Sequence, residues 1–307
     1  MFAHTPYDGS KQPFTVGLEP IGECSWLEPD EHFAAHLERK AELLASGQDT
    51  VFRAEPETAA SQREVLELIT ANLSHYHRDV FDTESGALKF AACEKVGSGL
   101  PNADLIRAAM LVQEDLVLMR NADDGYRLAA ACLCFPSSWS LAEKFGHSMH
   151  AIHEHVPGFN NGRMGAIVAR IFDNLKVGQL VARFNWSVYD SPELHRPVGR
   201  TLLADCGDEA DTLARLFVRV ERQTLRRLPG SGDILFTIKI HHDPLKALLG
   251  HPHGSELAAG LRNQLLGLDP DQLAYKGLHA QRDMLVRQLT EIEEGATSSA
   301  VASTAAI

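Results

Sequence analysis

Apolar positions along this 307-residue chain fall into two spacings that alternate in blocks. The first block is helical. Residues 31–46, EHFAAHLERKAELLAS, place Phe33, Leu37 and Leu43–Leu44 on one helical face, and Glu57 to about Leu73 repeats the spacing with Val65, Leu66, Leu68 and Ile69. DLVLMR (115–120) and YRLAAACLCF (126–135) then read as strands, joined by a hairpin turn that Asp124-Gly125 signals. Helical spacing returns over 139–146 and 162–178. Three further strand runs follow: LVARFNWSV (180–188), LARLFVRVERQTL (213–225) and ILFTIKIHH (234–242). Helices at roughly 255–266 and 269–290 close the pattern.

That order predicts an α+β fold: a PAS-like antiparallel five-stranded sheet with flanking N- and C-terminal helices, forming a single domain over residues 31–290. Residues 1–30, rich in Pro and Gly, predict an extended arm. Residues 291–307 have little to bury and predict a disordered tail. No glycine-rich strand-to-helix fingerprint and no run of alternating βα units is present, which argues against a Rossmann fold.

Composition narrows the partners. With 41 acidic against 29 basic residues the net charge is −12, which argues against nucleic acid. No stretch approaches the ~20 apolar residues of a membrane span. The start, MFAHTPYDGSKQPF, lacks the basic and apolar segments of a secretory signal. Cys24, Cys93, Cys132, Cys134 and Cys206 are scattered and include no CxxC, so a reduced, cytoplasmic setting is expected.

Two stretches carry candidate chemistry. HSMHAIHEHVPG (147–158) crowds His147, His150, His153 and His155 ahead of a Val-Pro-Gly break. On one helix, His147 and His153 would point ~120° apart, too far to grip one ion together. No HExxH motif and no nearby cysteine completes a zinc site. Two readings remain: polar histidines on a solvated helix end, or one histidine serving as an axial ligand to haem iron. His153 suits the second, because it follows Ile152 and precedes Pro157, which ends the helix.

The second stretch is the strand run at 213–225. Leu216, Val218, Val220, Arg222 and Thr224 share one face; Phe217, Arg219, Glu221 and Gln223 share the other. Arg222 thus extends an apolar face, and a buried guanidinium requires an anion, whether a haem propionate, a substrate carboxylate or a protein carboxylate. The alternatives are an arginine that snorkels to the sheet edge and a β-bulge that reverses the register. Glu221 is either an attraction for a cationic amine or an ordinary partner of Arg219 or Arg226. In 180–188, Arg183, Asn185 and Ser187 share a face, and Asn185 is the better polar candidate.

Taken in order, PFTVGLEPI, SWLEPD, LVQEDLVLM, CFPSSWSLAEKFG, AIHEHVPG, RFNWSV, RVERQTLRRLP, FTIKI and AYKGL resemble the haem-dependent oxidative N-demethylase family over about residues 13–290. The resemblance implies a PAS-like domain holding haem b, and oxidative demethylation of a small, dimethylamine-like amine. The oxidant is dioxygen, electrons come from a separate reductase, and formaldehyde is released. It implies His153 as the haem iron axial ligand, with His147, His150 and His155 as alternatives. Glu221 and Arg222 become catalytic candidates, and Arg222 and Arg226 cofactor-binding ones. Two other functions fit a fold of this kind: a haem-based gas or redox sensor, and a cofactor-free interaction domain.

Overall fold

The five predicted strands all form, and each pairs antiparallel with its neighbours in the computed structural model, which describes residues 2–89, 102–198 and 213–304. Numbered along the chain, the strands are β1 (Glu19–Pro20), β2 (Phe52–Ala54), β3 (Phe81–Asp82), β4 (Ala87–Leu88), β5 (Asp115–Ala122), β6 (Gly125–Cys132), β7 (Leu180–Tyr189), β8 (Phe217–Arg227) and β9 (Ile234–Pro244). The main sheet has seven strands in the order β1-β7-β8-β9-β5-β6-β2, and β3 pairs with β4 in a separate ribbon. The expectation of five strands is corrected to seven. Two- and three-residue edge strands are too short to leave a period of two in the sequence. Cys93 and Cys206 lie outside the described residues, while Cys132 and Cys134 are buried free thiols.

Local chemistry accounts for the joints. Gly125 takes φ +99° where Ala122 pairs with Gly125, so β5 and β6 turn through Asp123-Asp124. The β8–β9 turn is closed by Leu228 N–H donating to the Asp233 carbonyl at 2.8 Å. The closing helix expected over 269–290 is divided into Pro270–Tyr275 and Arg282–Thr304. The break has a physical cause: Gly277 adopts φ +64°, and Leu278 N–H reaches back to the Leu273 carbonyl at 2.8 Å, a glycine stop at the helix end. Ile292 is buried and the last helix runs on to Thr304, so packed structure continues past the 290 boundary.

Both faces of the sheet are covered. Val218 and Val220 of β8 join a core with Leu257 and Leu261 of the helix Gly254–Gly267 and Leu285 and Leu289 of the last helix. The arm is part of this side, with Tyr7, Trp26 and Leu27 buried. Lys40 anchors a corner from inside, its buried Nζ donating to the carbonyls of Ala109 and Val112 at 3.1 and 2.9 Å. The opposite face of β7–β9 does not close into core. It lines a cavity.

Candidate functional site

The cavity has a volume of about 720 Å³, within the range of a cofactor or drug-sized ligand. Its sheet wall comes from β5 to β9, its far wall from residues 149–172, and one end from the arm. Much of the lining is apolar: Met119, Leu128, Leu225, Phe236 and Ile238 on the sheet, with Ile152, Val168 and Phe172 across from them.

His153 is one of the lining residues. The expected helix over 147–153 contracts to Met149–Ile152, capped at its start by the Ser148 hydroxyl and ended by His153, whose φ/ψ of −106°/16° leaves helical geometry. The imidazole Nδ1 lies 2.8 Å from the Met149 carbonyl oxygen, so Nδ1 carries the proton and donates it. Nε2 is then the lone-pair nitrogen. Burial lowers the His153 pKa to about 4, against the help of the Met149 carbonyl, so the ring is neutral at physiological pH. Phe159 stacks on it, with ring centroids 4.1 Å apart and planes 11° from parallel. Two glycines allow that stack. A Cβ on Gly165 would come within 2.7 Å of the Phe159 carbonyl, and one on Gly162 within 2.3 Å of the Gly158 carbonyl. The other histidines differ. His147 and His150 are exposed and do not line the cavity, and His155 is exposed at its rim.

Glu221 also lines the cavity, on the sheet side. Its carboxylate accepts from Gln223 Nε2 at 2.7 Å and from Asn185 Nδ2 at 3.5 Å. Asn185 and Glu221 are cross-strand partners in the β7–β8 register, as are Arg183 and Gln223. Lys276 is carried in by the break between the closing helices; its Nζ donates to Asn185 Oδ1 at 3.2 Å and to the Trp186 carbonyl at 2.6 Å. Burial pulls the Lys144 pKa down to about 8 while the Glu221 charge opposes it, and burial, then Glu221, push the Tyr275 phenol up to about 12. Glu221 is therefore a carboxylate set among the cations Arg183, Lys144 and Lys276 of the lining.

Arg222 and Arg226 are not part of this wall. They belong to the other face of β8, and their expected place at the cofactor is corrected. Arg222 Nε pairs with Glu28 Oε1 at 2.9 Å, and its Nη atoms donate to the carbonyls of Trp26 and Ser25. Arg226 pairs with Glu23 Oε1 at 3.0 Å and lies 4.2 Å over the Trp26 ring. Of the three anions open to Arg222 in the sequence, the protein carboxylate is the one it meets. These two arginines clamp the arm to the sheet. Arg219, on the cavity face of β8, is also occupied, donating to Ser137 Oγ at 3.0 Å and to the carbonyls of Phe135 and Leu194 at 3.0 and 2.9 Å.

Sequence reasoning missed Phe159, Lys144, Lys276 and the pairing of Arg183 and Asn185 with Gln223 and Glu221. A signal for the last was present: two strands each carrying a polar face, which in antiparallel register become one polar patch.

The residues fit haem. A neutral histidine whose Nδ1–H is fixed by a backbone carbonyl offers Nε2 to iron in the orientation that metal-bound imidazoles adopt. The apolar walls suit a macrocycle. Arg183, with its Nε buried and lacking a hydrogen-bond partner, offers a donor suited to a cofactor carboxylate. Among the described residues no helix is long and apolar enough to cross a membrane. A family model described as haem-dependent oxidative N-demethylase, alpha subunit-like, matches residues 17–286, a span that includes the whole seven-stranded sheet, His153 and Glu221, and the chain belongs to that family.

Proposed function

We propose that this protein oxidatively removes a methyl group from a small methylated amine at a haem b held by His153, within a PAS-like domain. A secondary amine such as dimethylamine is the substrate class, and a separate reductase protein supplies the electrons. The observation that carries this reading is the pairing of two features in one cavity: an anchored neutral imidazole on the helical wall and a carboxylate on the sheet wall. The hairpin, helical insertion and three-strand order support the PAS-like assignment.

The haem would supply dioxygen binding and the oxidising power for the N-methyl carbon. In the overall balance, an N-methylamine, dioxygen, two electrons and two protons give an N-hydroxymethylamine and water. The hydroxymethyl compound then breaks its C–N bond to release formaldehyde and the smaller amine. Glu221 would hold the substrate ammonium, which loses hydration on entering an apolar cavity and needs a fixed counter-charge. Gln223 and Asn185 keep that carboxylate oriented by donating to Oε2. Arg183 and Lys144 would neutralise the cofactor carboxylates. His153 keeps its proton on Nδ1 throughout, because the Met149 carbonyl holds it there.

The test is direct. Haem-loaded protein, a surrogate reductase and dioxygen are screened against small methylated amines, with formaldehyde as the readout. Formaldehyde in proportion to amine consumed is expected. Protein that is reduced and binds oxygen yet yields no formaldehyde from any amine would overturn the reading in favour of a sensor.

A further inference from the structure

A second group of ligating side chains lies outside the catalytic pairing. His4 on the arm, Glu28 at the arm's end and His241 on β9 bring one ligand atom each within 4.8 Å of one another. His4 Nε2 is 2.7 Å from Glu28 Oε2, and His241 Nε2 is 3.7 Å from the same oxygen. We propose that His4, Glu28 and His241 form a binding site for one divalent transition-metal ion of the zinc type, separate from His153.

Four observations converge on it. His241 Nε2 is buried and has no hydrogen-bond partner, which is costly for a polar atom unless something else occupies its lone pair. Two imidazoles and one carboxylate are the ligand set of open zinc sites, which keep a fourth position for water. Tetrahedral ligands ~2.0–2.1 Å from zinc stand ~3.3 Å apart, so the present spacings need only small adjustments: the His4–Glu28 hydrogen bond opens and His241 closes in. The outer groups are also in place. Arg222 takes the other carboxylate oxygen of Glu28 at 2.9 Å and leaves Oε2 to the ion, and Phe184 packs against the His4 ring with centroids 4.7 Å apart.

The neighbouring cations oppose the ion. Arg222 shares the Glu28 carboxylate through its other oxygen at 2.9 Å, and Lys239 is paired with Asp30 at 2.8 Å. The side chains of His4 and Glu28 retain 23% and 27% of their exposure, which gives an ion a path in. His4 precedes the family-matched span of 17–286, while Glu28 and His241 fall within it. The site thus depends on this chain's own arm.

The experiment uses the full chain freed of metal with a chelator. Zinc is titrated in competition with a chromophoric chelator, and cobalt(II) is titrated separately because its visible bands report four-coordinate ligation. One equivalent of each ion should bind. His4→Ala and His241→Phe should each weaken zinc at least tenfold and abolish the cobalt bands, whereas His153→Ala and His253→Ala should bind as the unchanged chain does. If His241→Phe fails to fold, His4→Ala decides alone, since it truncates a partly exposed arm residue. No stoichiometric uptake by the unchanged chain, or undiminished uptake by His4→Ala, would overturn the proposal.

Discussion

Glu221 and Arg222 are consecutive on β8, yet their charged ends serve opposite faces of the sheet. Glu221 lines the cavity, 2.7 Å from Gln223 Nε2, while Arg222 meets the arm, 2.9 Å from Glu28. On the proposed function, one residue serves the chemistry and the next the architecture. Substituting them should separate the two roles.

Arg222→Leu should destabilise the fold and leave the cavity intact. Removing one partner of a buried pair strands the other, and the carbonyls of Ser25 and Trp26 lose their donor as well. The expected loss is about 2–3 kcal/mol, less than for a fully buried pair because Glu28 keeps some contact with water. Urea midpoints measure it. A normal midpoint with loss of haem binding would instead place Arg222 at the cofactor.

Glu221→Gln should act the other way. The amide removes the charge but can still accept from Gln223, so the wall stays packed. Losing a charge-assisted contact of roughly 1.5–3 kcal/mol corresponds to a rise in amine KM of about ten- to a hundredfold. The haem spectrum should be unchanged. An unaltered KM would show that the ammonium is held elsewhere.

Gly165→Ala tests how His153 is positioned without touching it. The new methyl would meet the Phe159 carbonyl at 2.7 Å, a backbone atom that cannot swing aside. Phe159 would shift off the imidazole, and haem affinity should fall severalfold or more while His153 remains. Ala166→Gly, at the next and exposed position, should leave haem affinity unchanged. Equal haem affinity in Gly165→Ala and the parent would mean that the stack does not orient the ring.

These contrasts follow from what the sequence could and could not reveal. Long strands and helices were legible because their apolar spacing persists over eight or more residues. The stop at Gly277, which carries Lys276 to the cavity, was hidden inside a continuous helical pattern. Arg222 was legible as a buried cation needing an anion and as sharing a face with Val218 and Val220, but which of the two faces meets the cavity was not. On β8 both faces are covered, so the apolar face is not the ligand face. The polar face of Arg219, Glu221 and Gln223 is the one that meets the cavity. Only the register with Asn185 and Arg183 makes that visible.

Stability of the haem-free chain should fall with acid. Burial first, with nearby charges, lowers His36 and His241 to about 3 and His153 and His242 to about 4, from 6.5. An unfolded chain takes up protons at these sites near pH 6.5, which the folded chain refuses. Their contribution is fully present above about pH 6.5 and is lost as pH falls from there towards 4. Asp115, raised to about 6 by burial, and Asp243, also raised by burial, work in the opposite sense over part of the same window, but they are two groups against five, because burial lowers His77 as well. The urea midpoint should decline steadily as pH falls below 6.5. A midpoint that rises between pH 6.5 and 5 would contradict this balance.

Iron ligation by His153 is read most directly from a haemin titration followed by absorption. The unchanged chain should develop a Soret band that saturates at about one haem per chain. His147→Ala, His150→Ala and His155→Ala should give the same band. His153→Ala should lose it or shift it to that of weakly ligated haem, with the far-ultraviolet circular dichroism of a folded chain. A normal Soret band and normal stoichiometry in folded His153→Ala would mean that another residue holds the iron.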